Sequence, residues 1–79
     1  MQLKGHGGRI FSLEFLEERG ALISGDWNGQ LKIWSFISGE IIRAYNDFSE
    51  RVGPIISIDS NNIFACGDVK DIRIYNLGI

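Results

Sequence analysis

Residues 23–35 read ISGDWNGQLKIWS, and the dipeptide Asn28-Gly29 near their centre decides how the surrounding chain is read. Asn-Gly between two apolar runs is the strongest short-range signal for a β-hairpin, because both residues tolerate positive φ in a two-residue type I′ turn. The flanks, Ala21 to Ser24 and Leu31 to Trp34, are short and largely apolar, as strands are. The stretch therefore predicts a tight hairpin with Trp27 beside its turn and Trp34 in its second strand.

Outward from this hairpin the same texture continues. Runs rich in Ile, Leu, Phe and Val alternate with clusters of Gly, Asn, Asp and Ser, and no window sustains a 3.6-residue apolar period. Further strands are predicted at Ile10 to Phe15, Ile41 to Tyr45, Ile55 to Asp59, Ile63 to Cys66 and Ile72 to Tyr75, an all-β reading. The segments Glu17-Glu18-Arg19 and Asn46 to Arg51 read as solvated polar loops, and Ser38-Gly39-Glu40 as a turn.

The chain also repeats itself. GRIFSL (Gly8 to Leu13) matches GPIISI (Gly53 to Ile58), and ISGDWNGQLKIWS matches ACGDVKDIRIYN (Ala65 to Asn76) with one residue deleted, at offsets of 45, 42 and 41 residues. A period near 40 to 45 with about four short strands per unit is the spacing of WD-repeat propeller blades. Gly5-His6 at the start of the unit and Trp34-Ser35 at the end of its third strand resemble that family's Gly-His and Trp-Asp signatures. The resemblance covers nearly the whole chain as a single region, 1–79, with repeat one at about 5–45 and a degraded repeat two at about 50–79. It implies an all-β fold of about two four-stranded antiparallel blades, an incomplete β-propeller. Repeat two departs from the pattern: no Gly-His precedes Gly53, and its third strand ends in Tyr75-Asn76.

Composition narrows the function classes. A chain of 79 residues with 44% hydrophobic and 23% charged residues has the make-up of a globular domain, yet one so short buries only about 60 to 65% of its unfolded surface. The formal net charge of -2 supplies no basic field for nucleic acid or acidic lipid, and no apolar run approaches the ~20 residues that span a bilayer. Lone Cys66 has no intrachain disulfide partner, and the first fifteen residues lack a secretion signal, so cytoplasm or nucleus is the expected setting. Asp26, Asp59, Asp68 and Asp71 do not follow EF-hand spacing, and one His with one Cys makes no zinc site. No metal, cofactor, nucleic acid or membrane is expected.

His6, Ser24 and Asp26 invite a serine-hydrolase reading, but no Gly-x-Ser-x-Gly elbow carries the serine. The resemblance implies instead a buried hydrogen-bond chain of His6, Ser24, Asn28 and Trp34, with Asn28 standing where the family has an aspartate. Cys66 takes the place of Ser24 in repeat two. Gly5 to Gly8 lead into a strand rather than a helix, which argues for a turn and against a phosphate cradle.

In the first strand Ile10, Leu13 and Phe15 are spaced by three and then two, which strict alternation forbids and a bulge near Phe11 explains. The resemblance implies that residues at this point and before the turn face the top of a propeller and contact partners. These map to Arg9, Phe11 and Trp27, with Pro54, Ile56 and Val69 as repeat-two counterparts and Arg51 as a further candidate. Exposed aromatics beside arginine are the chemistry of binding hot spots. The expected function is a non-catalytic interaction module that binds a protein or peptide. Packing of Trp27 on a neighbouring blade is the alternative.

Closed propellers have about four to eight blades, so two repeats leave a ring unfinished and a sheet edge open. An excised part of a longer propeller, a ring built from copies, and a smaller sheet fold are the three readings. The partners implied are further blades of a parent chain or copies of this one, and self-assembly stands as the alternative function.

Overall fold

Each apolar run becomes a strand because its flanking Gly, Asn or Asp residues turn the chain back on itself. The computed structural model describes residues 1–58, 63–68 and 70–76, leaving aside the side chains of 63 and 65. The strands are β1 (Ile10–Leu16), β2 (Ala21–Asp26), β3 (Leu31–Ser35), β4 (Ile41–Tyr45), β5 (Ile55–Ser57), β6 (Ile63–Gly67) and β7 (Ile72–Asn76). They form two antiparallel sheets, one in the order β1-β2-β3-β4 and one in the order β5-β6-β7. The fold is all-β, with three strands in the second sheet among the described residues. Ile55 to Asp59 shortens to Ile55–Ser57, and Asp59 lies outside the described residues.

Of the two polar loops, the first stays at the surface with no buried residue and the second is corrected. Glu17 to Arg19 form one 3-10 turn, ended by Gly20 at φ 60°. Asn46 to Arg51 do not run free in solvent: Phe48 is buried, and the next residue past the segment, Val52, is fully so. Both belong to the core that joins the sheets. Composition hid this because a single aromatic among polar neighbours anchors the whole segment.

The β2–β3 hairpin forms as expected, but its turn differs. Gly29 has φ 84° and, among the described residues, no non-glycine residue has positive φ, so Asn28 is not in the left-handed region that type I′ demands. Asp26 N–H donates to the Gln30 carbonyl at 3.0 Å, enclosing a three-residue loop of Trp27, Asn28 and Gly29. This is the hairpin in which a helical turn is followed by one left-handed residue. The cause is Asp26, whose Oδ1 accepts the N–H groups of both Asn28 and Gln30 at 2.9 Å and holds the loop in that shape.

A register shift between Ile10 and Ser12 places the expected bulge at Phe11. Beyond it, side chains alternate cleanly. Leu16, Ala21, Ile23, Leu31 and Ile33 face the second sheet and bury against Phe48, Val52, Ile55, Phe64 and Cys66. Leu13, Phe15, Leu22 and Trp34 share the opposite face. Ile10, Leu13 and Phe15 are therefore exposed rather than core.

Candidate functional site

Two arrangements of polar and aromatic groups stand out, one within the first sheet and one at its β2–β3 end. In the first, the indole Nε1–H of Trp34 donates to Ser24 Oγ at 2.7 Å, Ser24 Oγ lies 2.5 Å from His6 Nε2, and His6 Nδ1 lies 2.9 Å from Asp26 Oδ2. Trp34 and Ser24 meet because they share one face of neighbouring strands, and His6 reaches them from the segment before β1. The two ring nitrogens of His6 thus bridge the Ser24 hydroxyl and the Asp26 carboxylate.

The carboxylate is Asp26, and not Asn28 as the sequence suggested. Asn28 contributes its backbone N–H to Asp26 Oδ1, and its side chain lies against Gly8, where an added Cβ would stand 2.8 Å from Nδ2. Burial alone would raise the Asp26 carboxyl. The N–H of Gln30, the His6 ring and the N–H of Asn28 together outweigh that and hold it below the ordinary aspartate value. Asp26 is fully buried with both oxygens engaged.

Ser24, His6 and Asp26 have the connectivity of a hydrolytic triad. Their surroundings do not serve one. Ser24 is buried beneath the Trp34 indole, and the ring edge of Trp34 also crowds Gly5, where a Cβ would be 3.3 Å away. An acyl-transfer site needs room for a carbonyl about 3 Å from the nucleophile.

The second sheet carries other residues at the Ser24 and Trp34 positions. Cys66 replaces Ser24, and burial pushes its thiol up to about 12. Tyr75 replaces Trp34 and donates its O–H outward to Asp47 Oδ2 at 2.8 Å. Burial first, and then that bond, raise the Tyr75 phenol. Arg73 Nε donates to Asp68 Oδ2 at 3.1 Å and lies over the Phe48 ring.

The second arrangement is a cluster at the bulge and hairpin turn. Phe11 and Trp27 meet edge-to-face with ring centroids 5.0 Å apart. The bulge turns Phe11 to this rim, and the Trp27 N–H donates to the Arg9 carbonyl at 2.9 Å, which locks turn to bulge. The Arg51 guanidinium sits over both rings, 5.3 and 5.4 Å from their centres. Trp27 is 47% exposed, whereas Trp34 is 2%. Beside the cluster opens a cleft of about 380 Å³ lined by Phe11, Glu50, Arg51, Gly53, Pro54 and Asp68.

Of the residues expected to face partners, Phe11 and Trp27 are brought together, and Arg9 is exposed beside them with its carbonyl engaged. Pro54 lines the cleft. Ile56 lies elsewhere, on the outer face of β5 opposite Ala65, and Val69 is outside the described residues. Arg51, a minor candidate in the sequence, is central. Glu50 was missed, because its place depends on how Phe48 and Val52 pin the linker.

No protein-family model matches the chain. Two curated proteins are similar over 76 residues, 95% of this chain: the guanine nucleotide-binding protein subunit beta of Nicotiana tabacum, 28% identical, and that of Dictyostelium discoideum, 30% identical. The subunit is a WD-repeat protein. The chain spans about a fifth of their length, 20% and 22%. Among solved structures, the computationally designed protein Ika4 superimposes with a TM-score of 0.83 at 24% identity, covering 98% of this chain and 46% of Ika4. The designed protein Ika8 gives 0.82 at 25% identity, covering 96% of this chain and 23% of Ika8. The backbone is that of blades from a propeller-like fold.

Proposed function

We propose that the chain is a non-catalytic propeller-blade module that binds a protein loop or peptide through the rim formed by Phe11, Trp27 and Arg51. The observation that carries this is the stack of one guanidinium over two half-exposed aromatic rings beside a cleft. Such a surface offers large apolar area at little rotamer cost, with a cation fixed in place. The Ser24–His6–Asp26 connection acts as a structural tie, since the serine that would attack lies buried under an indole. The similarity to two G-protein beta subunits supports a protein partner rather than a small molecule.

The test is selection of ligands from a random peptide display library on immobilised chain, with every enriched peptide retested on the variant Phe11→Ala/Trp27→Ala. Binding lost in a variant of unchanged circular dichroism supports the rim. Enriched peptides that bind the variant equally well refute it.

A further inference from the structure

Among the described residues the two sheets leave two apolar faces uncovered, and the internal repeat points to what each is shaped to meet. By sequence alignment of the repeats, Leu22 corresponds to Phe64, Ser24 to Cys66 and Trp34 to Tyr75, while Leu31 corresponds to Ile72 and Ile33 to Ile74. Within the molecule, the sheet-two face bearing Phe64 and Cys66 is buried against the sheet-one face bearing Leu31 and Ile33. The uncovered faces are the complementary pair. Sheet one leaves open the face of Leu22, whose counterpart Phe64 is fully buried, together with Leu13, Phe15, Phe36 and Ile41. Sheet two leaves open Ile72 and Ile74, at 77% and 66% exposure, whose counterparts Leu31 and Ile33 are fully buried.

We infer that the occupant of each open face is a second copy of this chain, docked head to tail. The Ile72/Ile74 face of one copy covers the Leu22/Phe15 face of the next, repeating between chains the packing already present within one. The chain carries both halves of the contact, and the contact is heterologous: one patch meets a different patch, so successive copies turn in one direction and form a ring when that rotation closes, as it does in propellers. With two sheets per copy, and closure at about four to eight blades, the ring holds about two to four chains. The same unit superimposes on both Ika4 and Ika8, covering 46% of one and 23% of the other, so this sheet-on-sheet packing occurs in backbones that differ about twofold in length. This inference does not rest on the rim reading, since none of the face residues lines the rim cleft.

The experiment is light scattering of the 79-residue chain across a dilution series, with the variants Leu22→Glu and Ile74→Glu and their equimolar mixture. Neither side chain belongs to the internal core, and circular dichroism checks that each variant keeps its sheet signal. The expected result is a discrete wild-type oligomer of two to four chain masses, a single-chain mass for each variant alone, and a 1:1 dimer in the mixture, because each variant retains the face the other has lost. A folded wild-type monomer at all concentrations overturns the inference and assigns the faces to a different polypeptide. A dimer formed by either variant alone also overturns it, since like faces would then be pairing, as does unlimited growth unaffected by either substitution. Peptide capture through Phe11 and Trp27 can fail or succeed independently of all three outcomes.

Discussion

Trp34 and His6 share the oxygen of Ser24: the indole N–H donates to it, and the imidazole Nε2 lies within hydrogen-bond distance of it on the other side. The buried hydroxyl is thereby satisfied on both sides, and removing any member strands another. His6→Gln, Ser24→Ala and Trp34→Phe should each lower unfolding free energy by about 1 to 3 kcal/mol, the range for leaving a buried polar group without its partner. Urea titrations at one fixed protein concentration check this; losses below about 0.5 kcal/mol for all three would show that the chain contributes little.

Acid should act through Asp26. Its carboxyl is held below the ordinary aspartate value in the folded state, so its contribution is complete above about pH 5 and lost as pH falls through the unfolded value near 4 and then the folded one. The stability gap between wild type and Asp26→Asn should therefore narrow between pH 6 and pH 3. Urea midpoints across that range measure it, and a constant gap would mean the carboxylate is not specially stabilised.

The turn separates two neighbouring positions. Gly29 sits at φ 84°, and a Cβ there would stand 2.3 Å from the Phe48 carbonyl oxygen, so Gly29→Ala should cost more than about 1 kcal/mol. Asn28, without positive φ, should accept alanine for less than about 0.5 kcal/mol. Equal costs at the two positions would favour a type I′ turn in solution.

Fluorescence should distinguish the tryptophans. Acrylamide should quench a fraction of the wild-type emission that Trp27→Phe abolishes, leaving the shielded Trp34 signal, because exposure of the two indoles differs more than twentyfold, 47% against 2%. The substitution should change stability by less than about 1 kcal/mol. Undiminished quenching in Trp27→Phe would place Trp34 in solvent.

Cys66 should be inert. With the thiol pushed up to about 12 by burial, little thiolate exists at pH 8. An aromatic disulfide reagent should therefore modify it no faster than urea-limited unfolding exposes it, and rapid labelling of folded protein would contradict its burial.

How much of this was legible in the sequence follows the range of each interaction. The hairpin, the strands and the bulge at Phe11 rest on local spacing, and each was readable there. The turn type was not, because Asp26 imposes it through two backbone bonds that Asn-Gly statistics do not contain. Nor was it clear that Asp26, grouped with His6 only in the rejected hydrolase reading, takes the place given to Asn28 in the structural chain, since the two positions differ only in where the hairpin carries them. Arg51 and Glu50 reach the rim because Phe48 and Val52 bury between the sheets, a tertiary fact carried by two residues in a polar segment. The exposure of Leu13 and Phe15 was hidden for the opposite reason: an apolar pattern shows that a face is meant to be covered, not whether its cover is present.

The backbone oxygen of Asp26 accepts the N–H of Val52 at 2.9 Å, and the linker residue Phe48 packs its carbonyl against Gly29. The tip of one sheet is thus closed by the segment leading into the next. A gene duplication that copied residues 5–45 alone would yield a sheet with an unsealed tip, whereas one that also carried the stretch through Val52 would bring its tip seal with it. The unit that keeps its tip closed is therefore staggered against the visible sheet, and runs through the linker rather than stopping at the end of β4.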